Sequence, residues 1–125
     1  MATDKLLTET ELEMMQVLWS RGEGTVNDVL EGLPPARADL AYTSVSTILR
    51  ILEKKGFVDN RKDGRAHIYR PLITQSDYEG RSVNHVVETV FRGERIGLMR
   101  RLLGAGDIDA AELAELKKLL ATKKS

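Results

Sequence analysis

The side chains with most chemical promise in this chain stand close together: Thr43, Ser44, Ser46 and Thr47 in one run, then Arg50, Lys54, Arg61, Lys62 and Arg65. Short hydroxyls suit the edges of bases in a DNA groove, and Arg and Lys suit backbone phosphates or the neighbouring minor groove. The chain carries 19 basic and 19 acidic residues, but the balance hides a segregation. Residues 1–40 hold three basic against eight acidic groups, a net of −5, whereas residues 41–70 hold seven against three, a net of +4. Such a concentration is the footprint of a phosphate-binding face. The plainer reading of the same residues is a solvated helix start followed by a solvated turn.

Catalysis finds little support. The two histidines, His67 and His85, stand in no metal-ligand or triad spacing, and no Walker loop, GxGxxG, GxSxG or HExxH motif occurs. Both histidines read as structural, His67 in a wing and His85 on a helix surface. Glu9, Glu11 and Glu13 crowd a helix start, where the helix dipole explains them. The chain has no cysteine, which excludes disulfides, a thiolate nucleophile and thiolate metal sites. We therefore expect no enzyme activity, no cofactor and no metal. No apolar run approaches the roughly 18 residues of a membrane span, and Met1–Thr10 lacks a secretory pattern, so a soluble cytoplasmic protein without membrane insertion is expected.

The elements that would position these side chains follow from capping signals and periodicity. Thr8 with Glu11, or Thr10 with Glu13, forms a capping box, and Leu12, Met15, Leu18 and Trp19 follow at helical spacing, which predicts a helix over about 11–21. Thr25 with Asp28 opens a shorter helix bearing Val26, Val29 and Leu30, stopped by Gly32, Pro34 and Pro35. A loop through Arg37 and Asp39 leads to a third helix, Tyr42–Lys55, with Val45, Ile48, Leu49 and Leu52 inward and Gly56 closing it. Its outer face is then Thr43, Ser44, Ser46, Thr47, Arg50 and Lys54. Asp63-Gly64 signals a hairpin between Phe57–Asn60 and Ala66–Arg70, with Ile68 alternating against His67 and Tyr69, and Pro71 ends the second strand. Three helices and a basic hairpin are the order of a winged helix-turn-helix, whose third helix enters the major groove while the hairpin follows phosphates.

From Thr74, capped with Asp77, a long helix is predicted to about Arg92, striped by Val83, Val86, Val87 and Val90. Gly93 breaks it. A stretch with Ile96, Leu98, Met99, Leu102 and Leu103 follows, then Gly104-Ala105-Gly106, then a helix capped by Asp109 and Glu112 with Leu113, Leu116, Leu119 and Leu120. These stripes exceed what a three-helix head needs. A homodimer is the economical way to cover them, and the expected interface is Val83, Val86, Val87, Val90, Ile96, Met99, Leu102, Leu103, Leu113, Leu116 and Leu120.

The strings LTETELEMMQVLW (7–19) and YTSVSTILRILEKKGFV (42–58), with the Asp63-Gly64-Arg65 turn and the Tyr69-Arg70-Pro71 exit, resemble the penicillinase repressor (BlaI/MecI) family over about residues 7–103. The resemblance implies a dimeric cytoplasmic repressor on a palindromic operator. It also implies relief when a membrane sensor metallopeptidase, or another regulatory protease, leads to a cut in the dimerisation region. The family cut falls at an Asn-Phe pair, and the aligned position here is Arg101-Leu102. The copper-responsive branch uses C-terminal cysteines, which this chain lacks.

The expected architecture is thus mainly α with a small β-hairpin wing: a winged helix-turn-helix DNA-binding domain over residues 7–72 and a helical dimerisation region over 73–122. Its expected partners are double-stranded operator DNA and a second copy of itself. The competing readings are a winged-helix module for protein contacts, with a merely solvated wing, and a regulator that answers to a small molecule.

Overall fold

The computed structural model describes residues 6–104, 106 and 108–123. The first helix, α1 (Glu9–Arg21), uses Thr8 as its N-cap: the Thr8 hydroxyl accepts from the Glu11 amide at 3.2 Å, and the Thr8 amide donates to Glu11 Oε1 at 2.9 Å. The choice of Thr8 over Thr10 starts the helix two residues before the expected Glu11. The reason lies across the core, where Lys55 Nζ donates to both Glu11 carboxylate oxygens at 2.8 and 3.0 Å. A box built on Thr10 would lack that third partner. Gly22 closes α1 with φ 92° and donates its amide to Leu18 O.

The second helix, α2 (Val26–Gly32), is capped by Thr25 and Asp28 as expected. A 3-10 turn at Pro35–Arg37 follows, which periodicity did not signal. Arg37 pins it to α1, Nε donating to Glu13 at 2.6 Å and a terminal nitrogen to Glu9 at 3.1 Å. The third helix, α3 (Tyr42–Lys54), buries Val45, Leu49 and Leu52, while Ile48 is half-buried.

The hairpin pairs β1 (Val58–Asp63) with β2 (Ala66–Pro71) in the register Asp63↔Ala66 to Val58↔Pro71. The connection is therefore the two residues Gly64 and Arg65, tighter than the expected Arg61–Arg65 loop, and Asp63 is itself paired. Gly64 has φ 64°, the left-handed value that the first position of a type II′ turn requires. Pro71 is the last residue of β2 and not the one beyond it, which suits a residue without an amide hydrogen. On the far edge of β2, Gly24 exchanges two backbone hydrogen bonds with Tyr69, at 3.0 and 2.8 Å. This short bridge ties the wing to the α1–α2 turn. Tyr69 is the buried residue of β2, and Ile68, which the alternation placed opposite it, is only half-buried.

The chain next forms α4 (Gln75–Thr89), α5 (Arg95–Gly104) and α6 (Ala110–Thr122). Thr74 caps α4 through the Asp77 amide, and Asp109 with Glu112 forms the capping box of α6. The helix α4 ends before the expected Arg92, because Arg92 (φ 53°) and Gly93 (φ 85°) both turn left-handed. Gly104 still belongs to α5, and Ala105 of the expected break lies outside the described residues.

Two compact units divide the chain, one through Ser82 and one from Val83 onward. The division falls inside α4, whereas sequence reading assigned all of that helix to the C-terminal region. Aromatic packing accounts for this. Tyr78 of α4 lies 6.0 Å from Trp19 and meets Phe57 edge-on at 6.1 Å, its hydroxyl accepts from the Leu7 amide, and Trp19 Nε1 donates to the Ile73 carbonyl. The core of the first unit is Met14, Met15, Leu18, Val26, Val29, Val45, Leu49, Leu52, Phe57 and Val58 with Tyr69, Ile73 and Tyr78. In the second unit Val87 is buried, Val86 and Leu116 are half-buried, and Val83, Val90, Ile96, Met99, Leu102, Leu103, Leu113 and Leu120 are exposed.

Glu11 is the buried charged residue of the head. Burial pushes its carboxyl up, but the bonds from Lys55 and Thr8, with the Lys55 charge, outweigh it and hold the group below the ordinary carboxylate value. A lowered folded-state pKa contributes stability above the unfolded value that is lost as pH falls through the folded one. Glu11→Ala is expected to cost about 1–3 kcal/mol at neutral pH, through the cap and the stranded Lys55. Urea titrations across the acid range should also show less pH dependence in the variant than in the parent. Equal slopes would mean that Glu11 is not a stabilising ion.

Candidate nucleic-acid interface

The helix α3 and the hairpin face each other across a cleft of about 530 Å³. Tyr42, Ser46, Arg50 and Glu53 line it from one stripe of α3, at helical spacing. Asn60, Arg65, Ala66, His67 and Tyr69 line it from the wing, and Thr25, Val26 and Asn27 close it at the start of α2. The structure thus brings Ser46, Arg50 and Arg65 of the expected set to one concavity, while Thr43, Ser44, Thr47 and Lys54 are exposed elsewhere on α3 and Lys62 is exposed on β1. The local reason is the cap. Ala41 is the N-cap of α3 and offers no side-chain acceptor, so Thr43 and Ser44 stand inside the first turn as exposed groups and do not cap it. Thr47 has its hydroxyl hydrogen committed to the Thr43 carbonyl at 2.9 Å, which leaves its lone pairs for an incoming donor.

The wing's charge is partly spent inside the protein. Arg61 makes a bidentate pair with Glu23 at 2.8 and 2.9 Å, and Arg70 pairs with Asp59 at 2.7 and 3.3 Å. These bonds hold the Glu23 carboxyl below its ordinary range and raise the Arg61 and Arg70 guanidinium groups. Arg61, expected as a phosphate ligand, ties the wing to the α1–α2 turn through this exposed pair. Sequence separation hid that pair: Glu23 and Arg61 are 38 residues apart. Glu23→Gln, by releasing Arg61, is expected to tighten binding to any duplex about twofold to tenfold and to steepen its salt dependence. Unchanged affinity at low salt would show that Arg61 cannot reach DNA.

A second network went unread in the sequence. Asn60 Nδ2 donates to Glu53 Oε2 at 2.7 Å, and Asn60 Oδ1 lies 3.1 Å from His67 Nδ1, so three elements are joined at the floor of the cleft. Cross-strand spacing alone would not show it, since His67 pairs with Lys62 in the register and meets Asn60 diagonally. Tyr69 is buried beside it, and burial followed by the Glu53 charge pushes its phenol up against the opposing pull of Arg50.

In the second unit, Arg101 and Leu102 are exposed within α5. His85 is exposed on α4, and its carbonyl accepts the Thr89 hydroxyl at 2.7 Å. No group of metal-ligating side chains forms among the described residues.

Three helices followed by a hairpin that folds back beside the third define a winged helix-turn-helix protein. The chain is similar to the solution structure of the DNA-binding domain of the repressor BlaI, with a TM-score of 0.50 and 33% identity over 58% of this chain and 87% of that one. The family profile described as penicillinase repressor matches residues 7–122, and the chain belongs to that family. It is 38% identical to the transcriptional regulator BlaI of Mycobacterium tuberculosis over 89% of this chain and 85% of the relative. It is 26% identical to the methicillin resistance regulatory protein MecI of Mammaliicoccus sciuri, over 94% of each.

Proposed function

We propose that this chain is a transcriptional repressor that binds a two-fold symmetric operator as a homodimer. The observation that carries the reading is the exposed outer face of α3, hydroxyls Thr43, Ser44 and Thr47 followed by Arg50 and Lys54, set beside a wing tip with Lys62 and Arg65. On this reading the hydroxyls of α3 and Ser46 meet base edges, and the four cations meet phosphates. The family's relatives carry the names of repressors and regulators, which supports a repressive role. The exposed apolar side chains from α4 onward support self-association, since Val90, Ile96, Met99, Leu102, Leu113 and Leu120 open to water are costly in isolation. No described helix is long and apolar enough to cross a membrane, and we place the protein in the cytoplasm beside its DNA.

Release of repression is proposed to follow proteolysis in the dimerisation region, with Arg101-Leu102 as the aligned position. Both residues lie within helical α5, so a protease that reads extended chain needs that helix to open locally first.

Selection of duplexes from a random pool by the purified protein tests the reading. A two-fold symmetric motif is expected. If Arg50, Lys54, Lys62 and Arg65 of both protomers each neutralise one phosphate, log affinity should fall against log salt with a slope of about −7. No enrichment and a slope near zero would favour a module for protein contacts, a reading to which the two internally paired wing arginines lend weight.

A further inference from the structure

The chain of bonds at the floor of the cleft dictates a proton position. A carboxylate accepts only, so Asn60 must turn its NH2 to Glu53 and its carbonyl oxygen to His67. An amide oxygen also accepts only, so the proton of the neutral His67 ring sits on Nδ1. The ring's remaining polar atom is Nε2, on an exposed side chain that lines the cleft. In the neutral form that atom is a bare acceptor, and it repels a phosphate oxygen. Protonated, the same atom becomes a cationic donor in a cleft that also holds Arg50 and Arg65.

Resting on the DNA-binding reading above, we propose that His67 is a proton-linked phosphate contact of the wing: the duplex backbone is gripped at Nε2 when the ring takes up a proton. Asn60 is the positioning residue, because it withholds the neutral tautomer that could donate from Nε2. The charged and titratable groups facing the ring from each surrounding element are Arg50, Glu53 and Tyr42 of α3, Lys62 opposite it on β1, and Arg65 and Tyr69 of the wing; the α2 residues at the cleft, Thr25, Val26 and Asn27, carry no charge. Glu53 is the one anion among them, and a bound duplex brings phosphates to the same cleft. Binding then takes up as much as one proton per protomer, and affinity rises as pH falls across the range where imidazoles titrate.

The test is a titration of the full chain against the tightest duplex recovered from the random pool, at constant ionic strength, for the parent, His67→Gln and Asn60→Ala. His67 is exposed, so its replacement leaves the core intact. The parent should bind about tenfold or more tightly at about pH 6 than at about pH 8 as a dimer. His67→Gln should lose most of that difference while keeping a steep salt slope. Asn60→Ala frees the neutral ring to donate from Nε2, so it should bind more tightly than the parent at the alkaline end and show a flatter pH profile. A merely structural Asn60 would instead weaken binding equally at every pH. Identical pH profiles for the parent and His67→Gln would overturn the proposal and leave DNA binding standing. Absence of binding at any pH and any salt would overturn the repressor reading and this inference with it.

Discussion

Val90→Asp combined with Leu102→Asp is expected to yield a folded monomer whose affinity for the symmetric operator is lower by two to four orders of magnitude. The two side chains are 66% and 63% exposed in the single chain, so a carboxylate at either position meets water and costs the isolated fold little. In the proposed homodimer the same carboxylates would be forced into an apolar contact without partners. Loss of the second copy then removes the effective concentration that lets one half-site hold the other in place. Sedimentation velocity reports the mass, circular dichroism the fold, and a titration against operator and half-operator duplexes the affinity. Half-operator binding should be nearly unchanged, which separates lost coupling from a damaged head. An unchanged sedimentation profile would remove this surface as the interface. Val87 is unsuitable for the same purpose, although it lies on the same sequence stripe. At 3% exposure it is packed within its own chain, so Val87→Asp would unfold its surroundings whether or not a dimer exists.

That contrast between Val87 and its neighbours shows what periodicity conveys and what it leaves out. The spacing of Val83, Val86, Val87 and Val90 predicts one helical face, and the structure keeps the first three on α4 while Val90 falls just past its end at Thr89. It does not say which members of the stripe the chain covers itself. Local signals transferred best. Capping boxes and the hairpin depend on residues three or fewer apart: the boxes at Thr25 and Asp109 stand where expected, α1 took one of its two candidate caps, and the hairpin formed at Gly64, though with a tighter connection than expected. Groups that meet across long separations were not legible. The Lys55 bond to Glu11 decided between two equally good caps, the Glu23 pair took Arg61 out of the free cations, and Glu53, Asn60 and His67 met only when three elements had packed. Charge segregation pointed to the stretch that folds into α3 and the hairpin. It could not distinguish a free cation from one already bound, because that distinction lies in tertiary geometry.

The other large effect concerns Phe57, which sits where α3 hands over to the wing. Its amide donates to the Leu52 carbonyl, continuing the turn that closes α3, and its own carbonyl accepts from the Leu72 amide just beyond β2. The ring is fully buried and meets Tyr78 edge-on. One side chain is therefore buried where α3, the hairpin and the first turns of α4 meet. Phe57→Ala is expected to cost about 3–5 kcal/mol, because the lost transfer energy is joined by that of a cavity. Set against the roughly 5–15 kcal/mol of a whole domain, this is enough to populate the unfolded head at physiological temperature. Phe57→Leu keeps most of the volume and loses the edge contact, so it should cost far less, about 1–1.5 kcal/mol. Urea unfolding of the two variants, read by far-ultraviolet circular dichroism, gives the midpoints. The functional consequence follows from position: with α3 and the wing no longer held at a fixed spacing, hydroxyls and cations cannot meet base edges and phosphates together. Operator affinity should drop with Phe57→Ala under conditions where Phe57→Leu still binds. Nearly equal midpoints for the two would show that the junction is held by its backbone hydrogen bonds, and that the ring is not its keystone.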